Sequence, residues 1–292
     1  MCSFRDGSVT AAIGAAALMV LAGAAVDRPA NAASALEMTA VSWVEPGDAA
    51  ADEGPAWDLT TTAGARTFAL TLIEGRNDDD EKALALIAEV RENLAAYRRA
   101  GPAGDVALIE AVLAADEEDF DAAAEFAERA VESSPSDPEA HYVLGTVLIN
   151  DVSRGSFGLS TLGKVNKAKA SWQKTEELDP EHVGARISLA MYYLQAPGIA
   201  GGDKKKAEEY GESLVASGET SWGRRIMMMA SIGRKKWDEA RERLDAMVAD
   251  AEDDGAKREA YIAYLVPVLI EHEREDDAFA VLPAMARVSE AD

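Results

Sequence analysis

Ser134-Pro135-Ser136-Asp137-Pro138 and Glu177-Leu178-Asp179-Pro180 punctuate the chain at either end of a long apolar-periodic run. Between and after them, from Asp137 to Leu214, apolar residues recur at three- and four-residue intervals, the period of one helix face. Each proline removes a backbone donor and cannot continue a helix, so each cluster marks a boundary. The pattern predicts helical segments of similar size following one another, a helical repeat.

Aligning the stretch on itself gives the unit. Leu144-Gly145 and Leu148 in one helix are followed by Ala168, Trp172 and then Glu177-Leu178-Asp179-Pro180. This set resembles the tetratricopeptide repeat, a 34-residue helix-turn-helix unit with a Leu-Gly pair, a small residue on the second helix, a bulky residue four later and a closing proline. The resemblance implies an all-α fold, a right-handed superhelix of stacked helical hairpins. This unit is longer than the family's, with twenty residues from Leu148 to Ala168. Phe157, Leu159, Leu162 and Val165 fall at helical spacing within the excess, which predicts an extended second helix.

Small residues expected near the start of second helices set the register along the chain: Ala83, Ala123, Ala168, Ala207, Ala240 and Ala278. The units are expected over 138–180, 183–216 and 219–250, with further ones over 104–135, 256–290 and 65–98. In the last of these, Phe68 to Ile73 reads equally as a short strand. Stacked hairpins bury faces that no single hairpin could hide.

The N-terminus predicts a signal peptide over residues 1–35. Arg5 precedes an apolar run from Val9 to Val26, followed by Ala30-Asn31-Ala32 and Ala33-Ser34-Ala35 as small-x-small cleavage sites. A membrane anchor needs about 18 or more apolar residues, and the dominance of alanine and glycine favours cleavage. A periplasmic or secreted protein is expected, with no stable membrane insertion after cleavage. Cys2 is the only cysteine and leaves with the signal peptide, so packing must hold the mature chain together. Residues 36–64 are rich in Ala, Asp, Gly and Thr and read as a flexible arm, from which Trp43 and Trp57 could dock on the first hairpin.

A net charge of −24 excludes nucleic acid as a partner class. The charge is unevenly spread. No acid occurs from Val152 to Thr175, where Arg154, Lys164, Lys167, Lys169 and Lys174 lie, or from Thr220 to Trp237. Lys204-Lys205-Lys206 falls between the two windows. Beside these lies the loop Gln195-Ala196-Pro197-Gly198-Ile199-Ala200-Gly201-Gly202-Asp203, in which Pro197 ends a helix and Asp203 can cap the next. The run from Tyr192 to Lys204 resembles one in a group of exported bacterial tetratricopeptide proteins. Lys164, Lys167, Gly201, Gly202 and Lys204 are the candidate groups for a small anion, since glycine N–H groups and lysines attract negative charge. Loop rigidification is the competing role, because Asp203 would occupy the donors itself.

Catalytic chemistry has no constellation to carry it. His141, His182 and His272 lie in different repeats, no catalytic cysteine exists, and no glycine loop ends in Gly-Lys-Ser/Thr. Neither an enzyme, a metal site nor a cofactor is expected. The family's concave groove is lined by first helices. The register then places Tyr142, Thr146 and Asn150, next Ile187, Met191 and Gln195, and last Trp222, Arg225 and Met229 on that surface. Tyr142, Asn150, Met191, Gln195, Trp222 and Arg225 are the candidate contacts for a protein or peptide segment. Trp222 and Arg225 are the leading anchors, because Trp and Arg are enriched among residues that dominate binding energy.

Overall fold

The computed structural model describes residues 57–73, 80–154 and 159–250. Within them lie ten α-helices and no strand. They are α1 Thr62–Ile73, α2 Asp80–Ala100, α3 Ala103–Asp116, α4 Phe120–Ser133, α5 Pro138–Arg154, α6 Leu159–Leu178, α7 Val183–Gln195, α8 Lys204–Ala216, α9 Thr220–Gly233 and α10 Trp237–Asp250. The fold is all-α. Phe68 to Ile73, ambiguous in sequence, is the second half of α1. The signal peptide over 1–35, the arm up to residue 56 and the repeat over 256–290 lie outside the described residues. The chain divides into two compact units after Gly202, inside the repeat expected over 183–216.

In the first unit, α3 pairs with α4 and α5 with α6. Helix α3 is apolar nearly all round, AGDVALIEAVLAAD, and every residue from Val106 to Ala115 is buried. A helix with no polar face belongs in the middle of a fold. Helix α4 is amphipathic instead. Asp119 caps it by accepting the Ala122 N–H at 3.1 Å, and Ala123, Ala127 and Ala130, at helical spacing, are fully buried. Their small side chains let α4 approach α3 closely.

The long hairpin α5–α6 carries the motif that predicted the fold. Val165 lies in the core, as the periodicity of the extended helix required. Thr175 Oγ1 donates to Pro138 O at 3.2 Å, tying the end of α6 to the start of α5. Midway, the helices touch at Gly145, where a Cβ would stand 2.5 Å from Trp172 Nε1 and 3.0 Å from the Ala168 carbonyl. Trp172 is 2% exposed, and burying a side chain of this kind contributes roughly 2–3 kcal/mol.

Helix α1 packs on α3, and α3 on α5, so first helices stack on one another as well as on their partners. Arg66 fixes this layer. Its guanidinium reaches Asp105 in the first turn of α3 at 3.1 Å and both carboxylate oxygens of Asp137 at 2.7 and 2.9 Å. Asp137 in turn accepts the Glu139 N–H at the start of α5. Residues 57–61 lead into α1. Trp57 packs edge-on against Phe68 at 5.3 Å, Leu59 is buried, and the Leu59 carbonyl accepts from Tyr97 Oη and Asn93 Nδ2 on α2. Trp57 thus docks on the first hairpin, a role expected for it.

In the second unit, α9 packs on both α8 and α10. Helices α8 and α9 cross where two glycines meet. A Cβ on Gly211 would lie 2.8 Å from Gly223 O, and one on Gly223 would lie 2.5 Å from Gly211 O. Leu214, Ile226, Met228 and Leu244 are buried within the unit. Glu208 on α8 accepts from Arg234 and Arg243, and Arg243 also donates to Ser231 Oγ at 2.8 Å. The last turn of α9 is thereby tied to α8 and α10. Among the described residues no helix is long and apolar enough to cross a membrane.

Candidate functional site

The expected groove residues fall into three environments. On α5, Tyr142, Thr146 and Asn150 are buried, with 1%, 1% and 4% of their surface exposed. The Tyr142 ring lies 4.6 Å from that of His182, and its hydroxyl faces Gly184, where a Cβ would stand 2.6 Å away. His182 Nδ1 accepts the Ala185 N–H at 3.2 Å and so caps α7, which leaves Nε2 to donate to Glu139 at 3.2 Å. These aromatic and polar contacts close the start of α5 against α7. Tyr142 consequently presents no open surface, and Asn150, nearer the end of α5, is likewise buried.

On α7, Ile187, Met191 and Gln195 are half-exposed, and their i, i+4, i+8 spacing puts them on one face. Met191 and Gln195 are thus the groove candidates that an incoming segment can touch in the first unit. In the second unit, the Arg225 guanidinium sits 4.7 Å from the Trp222 ring centroid in a cation–π contact. Trp222 and Met229 are half-exposed, whereas Arg225 is only 7% exposed. Arg225 therefore supports the indole from within, and Trp222 offers the surface.

The anion candidates are engaged within the chain. Lys164 pairs with Asp151, and Lys167 with Glu128 at 2.5 Å. Both lysines line an open groove of about 540 Å³ that also presents Asp121, Glu125 and Leu148, so acids face the bases across it. The Gly201 N–H donates to Gly198 O and the Gly202 N–H to Pro197 O, each at 3.0 Å. Asp203 accepts from the N–H groups of Lys205 and Lys206 at 3.0 and 3.1 Å. Lys204 begins α8, and a Cβ on Gly233 would meet its stem at 3.1 Å. The loop's donors serve the loop's own shape. Among the described residues, no three His, Cys, Asp or Glu side chains are placed to hold a metal ion.

Pattern reasoning did not find the environment of Lys169. Its ammonium lies 4.5 Å from the Tyr192 ring centroid and 5.1 Å from that of Tyr193, the two rings being edge to face. The Tyr192 hydroxyl donates to Ala200 O across the loop. Burial, and next the neighbouring Tyr193, push the Tyr192 phenol above its ordinary value, so the donor stays protonated. The signal was the Tyr192-Tyr193 pair, because adjacent tyrosines just before a loop can close over a cation from the preceding helix.

Compared with known proteins, the chain matches no protein-family model and no curated protein.

Proposed function

We propose that this chain is an exported, non-catalytic scaffold of the tetratricopeptide type, whose hairpins form a right-handed superhelix that captures a protein or peptide segment in its concave face. The stacking of α1 on α3 and α3 on α5 carries this proposal, because a continuous row of first helices is what such a superhelix uses to line a groove. Export rests on the charged, apolar and small-residue succession of the first 35 residues. The half-exposed face of Met191 and Gln195, and Trp222 braced by Arg225, are the contacts of choice. Each offers an apolar body with a polar group beside it, a combination that suits a peptide.

Recovery of partners from a native envelope extract by the full chain tests the proposal, with Met191→Ala and Trp222→Ala compared against wild type. A specific protein recovered by wild type and reduced with either variant, at unchanged melting temperature, is expected. Equal recovery by all three would remove these residues from the site. Stabilisation by small anions with no protein recovered would replace the scaffold by an anion-binding protein.

A further inference from the structure

We propose that α6 and the loop after α7 form a second docking surface, apart from the groove residues. It takes an acidic amphipathic segment of a partner protein, one carboxylate meeting Lys169 and apolar side chains covering Leu162 and Ile199.

Among the described residues only Leu84, Leu162 and Ile199 are large hydrophobic side chains left exposed, at 49%, 40% and 96%. Two of the three lie on the elements that meet at Lys169, α6 and the loop after α7. Leu162 is seven residues earlier on α6, two turns away on the same face, or about 10 Å along the axis. Ile199 is two residues before Gly201, where a Cβ would stand 3.4 Å from Lys169 Nζ.

Ile199 is held out by construction. The Ala200, Gly201 and Gly202 N–H groups bond back to Pro197 and Gly198 at 2.8 to 3.0 Å, and the Tyr192 hydroxyl bonds to Ala200 O. Gly201 closes the turn at φ +85°, a conformation that favours glycine. An apolar side chain fixed in water gains nothing for the fold, while a partner that covers it meets no cost of ordering the loop.

Lys169 differs from the other lysines described on its helix. Lys164, Lys167 and Lys174 each pair with a carboxylate, whereas Lys169 has only tyrosine faces and no ion pair among the described residues. Its N–H donors remain available for a charge-assisted bond, which is shorter and stronger than a neutral one. No acid occurs from Val152 to Thr175 in a chain of net charge −24, so the part of α6 around Lys169 contributes no carboxylate that would repel an acidic partner. A small anion would satisfy the ammonium and leave both aliphatic side chains wet. An acidic amphipathic segment satisfies all three.

The test is fluorescence anisotropy of the full chain with a labelled synthetic helical peptide presenting leucines and glutamates on one face, beside a twin with lysine for each glutamate. The glutamate peptide should bind and weaken with added salt, and the lysine twin should not bind. Ile199→Ser, Leu162→Ser and Lys169→Glu should each weaken binding about tenfold or more. Trp222→Ala should leave it unchanged, which separates this surface from the groove. Because Ile199 is almost wholly exposed, Ile199→Ser keeps the fold, and unchanged affinity for that variant would overturn the proposal. So would equal binding of the two peptides. Binding of phosphatidylglycerol vesicles dependent on Ile199, with neither peptide bound, would also overturn it and make the surface a lipid contact.

Discussion

Replacing Gly145 by alanine should destabilise the protein, even though alanine is the better helix former. In a helix interior alanine gains about 1 kcal/mol over glycine. Against that gain, the new methyl group would lie 2.5 Å from Trp172 Nε1, 2.7 Å from Trp172 Cδ1 and 3.0 Å from Ala168 O. Trp172 is 2% exposed and Ala168 fully buried, so neither the indole nor the backbone can move into solvent to make room. Overpacking of this kind costs roughly 1–3 kcal/mol, leaving a net loss near 1 kcal/mol. Urea unfolding followed by far-ultraviolet circular dichroism measures it. A double-mutant cycle tests the cause. Trp172→Phe removes Nε1, the nearest of the atoms that the methyl group meets, so the double variant should lose less than the two single losses together, by at least about 0.5 kcal/mol. A Gly145→Ala variant that gains the full propensity term, or a cycle that is additive, would refute the close contact. Gly145→Trp and Ala168→Trp should be more damaging still.

Arg66→Met should cost about 1 kcal/mol in the same assay, because it leaves two partly buried carboxylates, Asp105 and Asp137, without their shared cation. Arg66→Lys should recover only part, since lysine cannot fork onto both oxygens of Asp137. Asp203→Ala should cost about 1 kcal/mol by uncapping α8, with Asp203→Asn close to wild type. Alkali should destabilise the protein in part through Tyr97, whose phenol is raised above its ordinary value by burial and then by Glu89. A raised folded-state value means that the stabilisation is complete below about pH 10 and is lost as pH rises through the folded value. Thermal melts between pH 9 and 11 should therefore fall less steeply in Tyr97→Phe. A steeper fall in that variant would show that Tyr97 is not the group responsible.

Local patterns determined the helices. The prolines at 138 and 180, the apolar periodicity between them and the acidic caps Asp119 and Asp203 act over a few residues, so each is legible where it stands. The extended α6 was legible for the same reason, because Leu162 and Val165 keep the helical period through the excess length. The small residue at Gly145 could also be read in advance, since a Leu-Gly pair at that register has one packing use.

Exposure was decided by the tertiary structure. Tyr142 and Ile187 occupy equivalent places in the repeat pattern, yet the first is closed off by His182 and Gly184 while the second stays half-open. Periodicity says which face of a helix a residue shares, and it is silent on what the next helix lays over that face. Charge behaves alike. Lys164, Lys167 and Lys169 are indistinguishable as members of an acid-free window, but Asp151 and Glu128 reach the first two from α5 and α4, while tyrosines from α7 surround the third. Pairing depends on side chains separated by up to tens of positions meeting within a few ångströms, and only the packing of the helices brings them there.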